Sequence, residues 1–314
     1  MPAKANIAVL IPKAFAGPMP TPQEYTSFFR SAESLGFHSL WTTERIIHQI
    51  NILDAFTALA WAATVTSRIK LGSAVTLALL RHPLVLARTV SSLDYLSGGR
   101  FILGLSLGGH PEELEAMEVN VRQRRRRLEE TIALLRQLWD HPDVSFQGRH
   151  YHMEKATVAP HPTAGKRLPI LLGGSADPLL HRVVAMADGW LASSSVLPDQ
   201  LRERRDTLHR MARETGRETG TLEIGKLLYL AIDDDPARAR KRIASSMQDY
   251  YGAGFDVDRL CPFGPPEVCA RGIQPYLDAG VTTLMLGLAW PSVRELERLH
   301  HEVLPLLDTA VKQS

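Results

Sequence analysis

What most constrains this chain is a rhythm. Short β-branched or apolar runs alternate with longer segments of helical period from one end to the other. Such alternation implies a parallel sheet, because each helix carries the chain back so that the next strand runs the same way. Strands read at residues 6–11, 39–42, 70–76, 101–105, 168–172, 190–193, 223–232 and 283–287. Eight is the number that closes a barrel, so the expected fold is an α/β (β/α)8 TIM barrel, a single domain over residues 1–314. The competing open, doubly wound sheet requires a glycine-rich dinucleotide turn after the first strand. Ile11 is instead followed by PKAFAGPMP, with no GxGxxG.

The connecting segments carry helix start and stop chemistry. Pro83 is suited to a first helical position, where its missing amide would be unpaired anyway, and Leu86, Val90, Leu93 and Leu96 form the expected buried stripe. Ser97, Gly98 and Gly99 end that helix, since glycine accepts the left-handed conformation beyond a C-cap. A second helix reads at 124–139 with Leu128, Ile132, Leu135 and Leu138 on one face, and Asp235 with Pro236 opens another. Two segments break the rhythm. Residues 140–162 hold four histidines, Gly148 and three prolines, and read as an insertion before strand 5, with a small hairpin; residues 261–266 read as a mobile connection.

Composition narrows the function. With 36 basic residues against 34 acidic ones, interspersed, the net charge of +2 gives no footprint for nucleic acid. The run Arg124 to Arg127, with Arg122 nearby, is followed by Glu129 and Glu130 and reads as a solvated helix face. No stretch approaches the roughly 18 apolar residues of a membrane span, and the first residues read as strand rather than as a cleavable signal. Cys261 and Cys269 have no partners at metal spacing, so they are expected to be reduced thiols of a cytoplasmic protein without a metal site.

In a βα barrel, chemistry collects at the carboxyl ends of the strands. After strand 5, Gly173 and Gly174 allow close approach of a ligand to the backbone, Ser175 suits an N-cap, and the following helix offers free amides. A phosphate cradle and a plain βα turn both fit. The small residues after strands 3 and 4, within SAVTLALLRHP and GLSLGGHPEE, suit either a planar ring lying against backbone or the taper of a barrel. After strand 2, Glu44 and Arg45 could handle substrate and protons or simply pair with each other. Of His48, His82, His110, His152 and His161, His110 is best placed, beside Gly108 and Gly109 at the end of strand 4. No HExxH, GxxxxGK[ST] or paired-carboxylate pattern stands out, so hydrolytic chemistry is not the expectation.

The block RHPLVLARTVSSLDYLSGGRFILGLSLG at 81–108 resembles the signature of the bacterial luciferase-like monooxygenase superfamily. GFHSLWTTER, PILLGGSADP, ADGW and FGPPEVCARGIQPYLDAGV stand in the family's order, so the resemblance covers nearly the whole chain. It implies a TIM-like barrel, usually a homodimer, that binds FMN or the deazaflavin coenzyme F420 at its mouth and acts on a small-molecule substrate. It further implies a non-proline cis peptide at Ala74–Val75 against the ring, and phosphate contacts at Gly173, Gly174 and Ser175. Luciferase α chains carry a histidine where this chain has Arg45 and an arginine where it has Leu107, which argues against luminescent chemistry. The WxxER, RHP and SGGRFILG forms are closer to the F420-dependent oxidoreductases, although Leu77 stands where many of those have asparagine.

The resemblance thus implies hydride transfer between F420 and a small organic substrate. Ala74, Val75 and Thr76 would lie under the ring with Ser106 beside it, and Ser193 would join the glycine turn at the phosphate. Glu44, Arg45 and His110 are the candidates for orienting substrate or moving a proton. An FMN-dependent two-component monooxygenase and a noncatalytic flavin-binding barrel are the alternatives.

Overall fold

The computed structural model describes residues 4–108, 110–163 and 167–311; Gly109 of the expected strand-4 turn lies outside them. Among the described residues eight parallel strands close into a barrel: β1 (Asn6–Leu10), β2 (Ser39–Thr42), β3 (Lys70–Ser73), β4 (Phe101–Ser106), β5 (Ile170–Gly173), β6 (Gly189–Ala192), β7 (Glu223–Ile232) and β8 (Thr283–Leu288). Each pairs with the next in chain order. The ring closes where Asn6 to Val9 of β1 align with Thr283 to Leu286 of β8. This is the TIM barrel that the alternation predicts.

Strand parity sorts the side chains. Ala8, Trp41, Ile102, Leu171, Leu191, Leu227 and Met285 point into the barrel and fill it, while their neighbours along each strand pack against the surrounding helices. Trp41 is accommodated because Gly72 on the adjacent strand has no Cβ, which would overlap the indole. Carried to the carboxyl ends of the strands or one residue past them, the same inward parity passes through Thr43, Ala74, Ser106, Gly173 and Ser193. Four of the expected site residues, Ala74, Ser106, Gly173 and Ser193, therefore sit on the barrel's inner rim.

Among the described residues eight longer helices surround the barrel: α1 (Pro22–Ser34), α2 (Ala55–Val65), α3 (Pro83–Ser97), α4 (Arg124–Asp140), α5 (Asp177–Met186), α6 (Pro198–Glu214), α7 (Pro236–Tyr251) and α8 (Pro266–Asp278). Their ends obey the sequence signals. Gly98 closes α3 at φ 67°, and the Asp235 carboxylate accepts from the amides of Ala237 and Arg238 to start α7. One expectation for α3 fails. Leu96 is 53% exposed, and the buried stripe runs on from Val90 and Leu93 through Asp94 to Ser97, the residues that continue that helical face.

Arg100 of the SGGR segment donates to the carbonyls of Ala63, Thr66, Ile69 and Ser97, tying α2 and α3 to the amino end of β3 and β4. That part of the sequence signature is therefore a scaffold tie, remote from the rim.

The insertion before β5 contains the expected hairpin, with Val144–Gln147 antiparallel to His152–Ala156. The segment expected to be a mobile connection is instead built into the sheet: Phe263 and Gly264 align with Ala231 and Ile232 of β7, and Cys261 is buried. Both cysteines are free and buried, which pushes each thiol up to about 12. No described helix is long and apolar enough to cross a membrane.

Candidate active site at the carboxyl rim of the barrel

The rim is built from the segments that leave the carboxyl end of each strand. After β3 the chain takes a cis peptide at Ala74–Val75 and then pairs again, with Thr76 opposite Leu105 and Leu77 opposite Ser106. The expected continuous strand over 70–76 is thus interrupted at the predicted bond. Ser73 sits beneath the step, and its hydroxyl bonds both the amide and the carbonyl of Gly104 at 3.0 Å. A Cβ on Gly104 would overlap the Ser73 carbonyl oxygen, so β3 and β4 approach here as only glycine permits.

Val75 reaches across to β5, where a Cβ on Gly173 would overlap its Cγ1. Gly173 therefore makes room for Val75. Gly174, at φ 144°, keeps the turn in a conformation that disfavours side chains. Ser175 is not the helix cap: Ala176 holds that place without a side-chain cap bond, so the first amides of α5 have no hydroxyl bound to them. The turn is nevertheless held firmly, with Trp190 Nε1 donating to the Gly174 carbonyl at 2.8 Å and Gly174 N to Leu191 O at 3.2 Å.

Beside it, at the end of β6, the Ser193 and Ser195 hydroxyls lie 3.0 Å apart. Lys226, wholly buried between β7 and the helices, donates to the carbonyls of Ser193 at 2.7 Å and Ser194 at 3.0 Å. Burial lowers its ammonium to about 7. A glycine turn, an uncapped helix start and a fixed serine loop thus stand side by side, a set of donors of the kind that takes a phosphate.

At the ends of β2 and β4, the three candidates for handling protons have divided roles. Glu44 is buried and already engaged: Oε2 accepts from Leu77 N at 2.7 Å and Oε1 lies 2.7 Å from Arg81 Nη2. It fixes the backbone just beyond the cis step. Arg45 and His110, from the ends of β2 and β4, meet at 2.6 Å between Nη1 and Nε2. The other singled-out histidines have other places. His48 stacks on Tyr250, His82 caps α3, His152 lies on the hairpin, and His161 Nδ1 is 2.8 Å from the Trp139 carbonyl.

Sequence reasoning missed two neighbours. Glu113, 1% exposed, accepts from the amides of Ile46 and Ile47, and Lys13, 5% exposed, has no hydrogen-bond partner for its Nζ. Desolvation lowers Lys13 to about 8, opposed by the charge of Glu44. Lys13 lies just after β1, a position worth testing in any barrel; Glu113 is the second of two glutamates after His110 and gives no such signal.

A cleft of about 1240 Å³ opens on the other side of the rim. It is lined by Lys13 and Phe15 after β1, Thr43 after β2, Tyr229 of β7, Tyr250 of α7 and Trp290 after β8. Thr43 and Tyr250 share a hydrogen bond of 2.7 Å, and Tyr229 bonds Tyr251 at 2.9 Å, so its floor is ordered. The cleft's lining does not include the glycine turn.

A family profile described as luciferase-like monooxygenase matches residues 6–255. The chain is 29% identical to the F420-dependent glucose-6-phosphate dehydrogenase of Kineococcus radiotolerans, over 91% of this chain and 93% of that one. It is 27% identical to the F420-dependent hydroxymycolic acid dehydrogenase of Mycobacterium tuberculosis, over 82% of this chain and 76% of the other. Among solved structures, an F420-dependent secondary alcohol dehydrogenase in complex with an F420-acetone adduct superposes with a TM-score of 0.84 at 18% identity, covering 96% of this chain and 99% of that one. At that identity the likeness is one of fold.

Proposed function

This chain belongs to the luciferase-like monooxygenase family, and from that premise we propose that it is an oxidoreductase using coenzyme F420 and a small organic substrate. The observation that carries the reading is the convergence of the Ala74–Val75 step, the Gly173–Gly174 turn and the uncapped start of α5 on one arc of the rim. The relatives named as F420-dependent dehydrogenases support the choice of cofactor.

The residues present fit such a group. Gly174 and the amides that open α5, with Ser175 and Ser193, would receive the phosphate, while Ala74, Val75, Thr76 and Ser106 would line the ring side. A deazaflavin has carbon where a flavin has its reactive nitrogen, so when bound it supplies two-electron hydride transfer. The chain's own contribution is position and electrostatics. Glu44 holds the backbone at Leu77, Trp190 and Lys226 hold the two phosphate-side loops, and Arg45 with His110, from the ends of β2 and β4, faces substrate.

Titration of the purified protein with F420 and with FMN, monitored by quenching of tryptophan emission, tests the reading. Preference for F420, with no rapid oxygen uptake by the reduced complex, is the expected result. Preference for FMN with rapid oxygen uptake would overturn it, and tight binding without turnover of any alcohol, aldehyde or enone would mark a binding module.

A further inference from the structure

The contact between Arg45 and His110 fixes a protonation pattern as well as a distance. A guanidinium carries five N–H donors and no acceptor, so at 2.6 Å the Nε2 of His110 is the acceptor and bears no hydrogen. The hydrogen of the neutral ring then sits on Nδ1, whose nearest carboxylate oxygen, Glu112 Oε1, is 3.7 Å away and beyond hydrogen-bond reach. Arg45 is held in this pose: Nε lies 3.5 Å from Glu113 Oε1, and Nη2 donates to the Ile47 carbonyl at 3.4 Å. Glu113 Oε1 also accepts from the amides of Ile46 at 2.6 Å and Ile47 at 3.2 Å, fastening the loop after β2 to the short helix Pro111–Ala116.

The polar atoms left over around this contact are mostly donors. Lys13 Nζ, Arg45 Nε and Arg81 Nη1 are buried without hydrogen-bond partners, as is the Thr76 hydroxyl, against two such acceptors, Glu113 Oε2 and Glu44 Oε1, the latter ion-paired with Arg81. Unmet buried donors are costly, and a guest that presents acceptor oxygens satisfies them. Lys13, Arg45 and Arg81 face four carboxylates, Glu44, Asp54, Glu112 and Glu113, so an anion gains nothing here and the unmet donors suit a neutral acceptor.

We infer that this side of the rim takes a neutral carbonyl oxygen, with His110 donating its Nδ1–H to it and with Arg45 and Glu113 as the positioning residues that hold His110 in that tautomer. The inference rests on the oxidoreductase reading above and gives it a direction. In carbonyl reduction a hydride from the reduced deazaflavin adds to carbon, the C=O π pair moves onto oxygen, and a proton from solvent completes the hydroxyl. The His110 N–H stabilises the charge that grows on oxygen. As held here, His110 is not the base that alcohol oxidation needs, because Nε2 is engaged and Nδ1 already bears hydrogen.

Long-range 15N–1H spectra of cofactor-free protein labelled at histidine test the tautomer. The His110 ring is expected to show a protonated Nδ1 and a bare Nε2 at neutral pH. Arg45→Lys, which keeps a donor, should preserve that pattern, whereas Arg45→Met and Glu113→Gln should let the Nε2–H form appear. An Nε2–H or doubly protonated ring in the wild type, or an unchanged ring in Arg45→Met, would overturn the inference. In the F420-loaded enzyme, His110→Phe should slow reduction of a ketone and enone panel by on the order of a hundredfold, and His110→Gln, which retains an N–H donor, by much less. Equal loss in the two variants would refute the donor role. The spectra need no cofactor, so their outcome is separate from whether F420 binds.

Discussion

Gly174 stands at φ 144°, and a Cβ there would press on Leu179 Cδ2 at 3.2 Å beside the start of α5. Gly174→Val should therefore weaken F420 binding by more than tenfold, with a stability loss of about 1–3 kcal/mol and an intact barrel. Tryptophan quenching and far-UV dichroism report the two effects separately. Lys226 yields a prediction in pH. Its ammonium is held at about 7, against an ordinary 10.5, because burial strips its hydration. Between those values the unfolded chain keeps the proton and the folded chain has lost it, so the contribution of Lys226 to stability rises with pH across that window. Compared with Lys226→Met, the wild type should gain stability between about pH 7 and about pH 9.5 in urea melts; a constant difference would contradict this. The glycine turn was legible because paired glycines after a strand are a local signal. Glu113 and Lys13 were not, since their significance lies in pairing, or failing to pair, across elements far apart in sequence.

The strands were readable to within about two residues because a barrel strand is a short apolar run bounded by polar turns. Strand 3 was the informative exception: residues 74–75 look like uninterrupted strand by composition, and only the family likeness marked the cis step. The segment at 261–266 misled for the opposite reason, as its prolines suggested a loose connection while Phe263 and Gly264 found hydrogen-bonding partners on the long β7. In the insertion, the tip of the hairpin depends on one carboxylate. Glu130 of α4 accepts from the amides of Arg149, His150 and Tyr151, and these bonds hold it below the usual carboxylate range against the desolvation that would raise it. Glu130→Ala should expose those three amides to rapid hydrogen exchange while exchange in the barrel strands is unchanged. Protection that persists at the tip would show that the hairpin stands without its anchor.

For the molecule as a whole, each barrel strand is hydrogen-bonded on both sides, and closure through β1 and β8 joins the first strand to the last. One unit of unfolding is the expectation, with tryptophan emission and far-UV dichroism giving coincident transitions in urea; separated transitions would argue for more than one cooperative unit. The family likeness also implies a homodimer, and α3 exposes Val85, Tyr95 and Leu96 at 58%, 67% and 53%. Light scattering should then return twice the chain mass of 34.8 kDa. The rim divides its labour. The glycine turn, the serine loop and the cis step occupy the arc from β3 to β6, while the cleft is walled chiefly by the segments just after β1 and β8 and by Tyr229 of β7 with α7. Random libraries confined to residues 14–20 and 289–294 would therefore vary what the cleft admits while leaving the arc from β3 to β6 untouched. A scaffold partitioned in this way can be selected for new substrates one wall at a time.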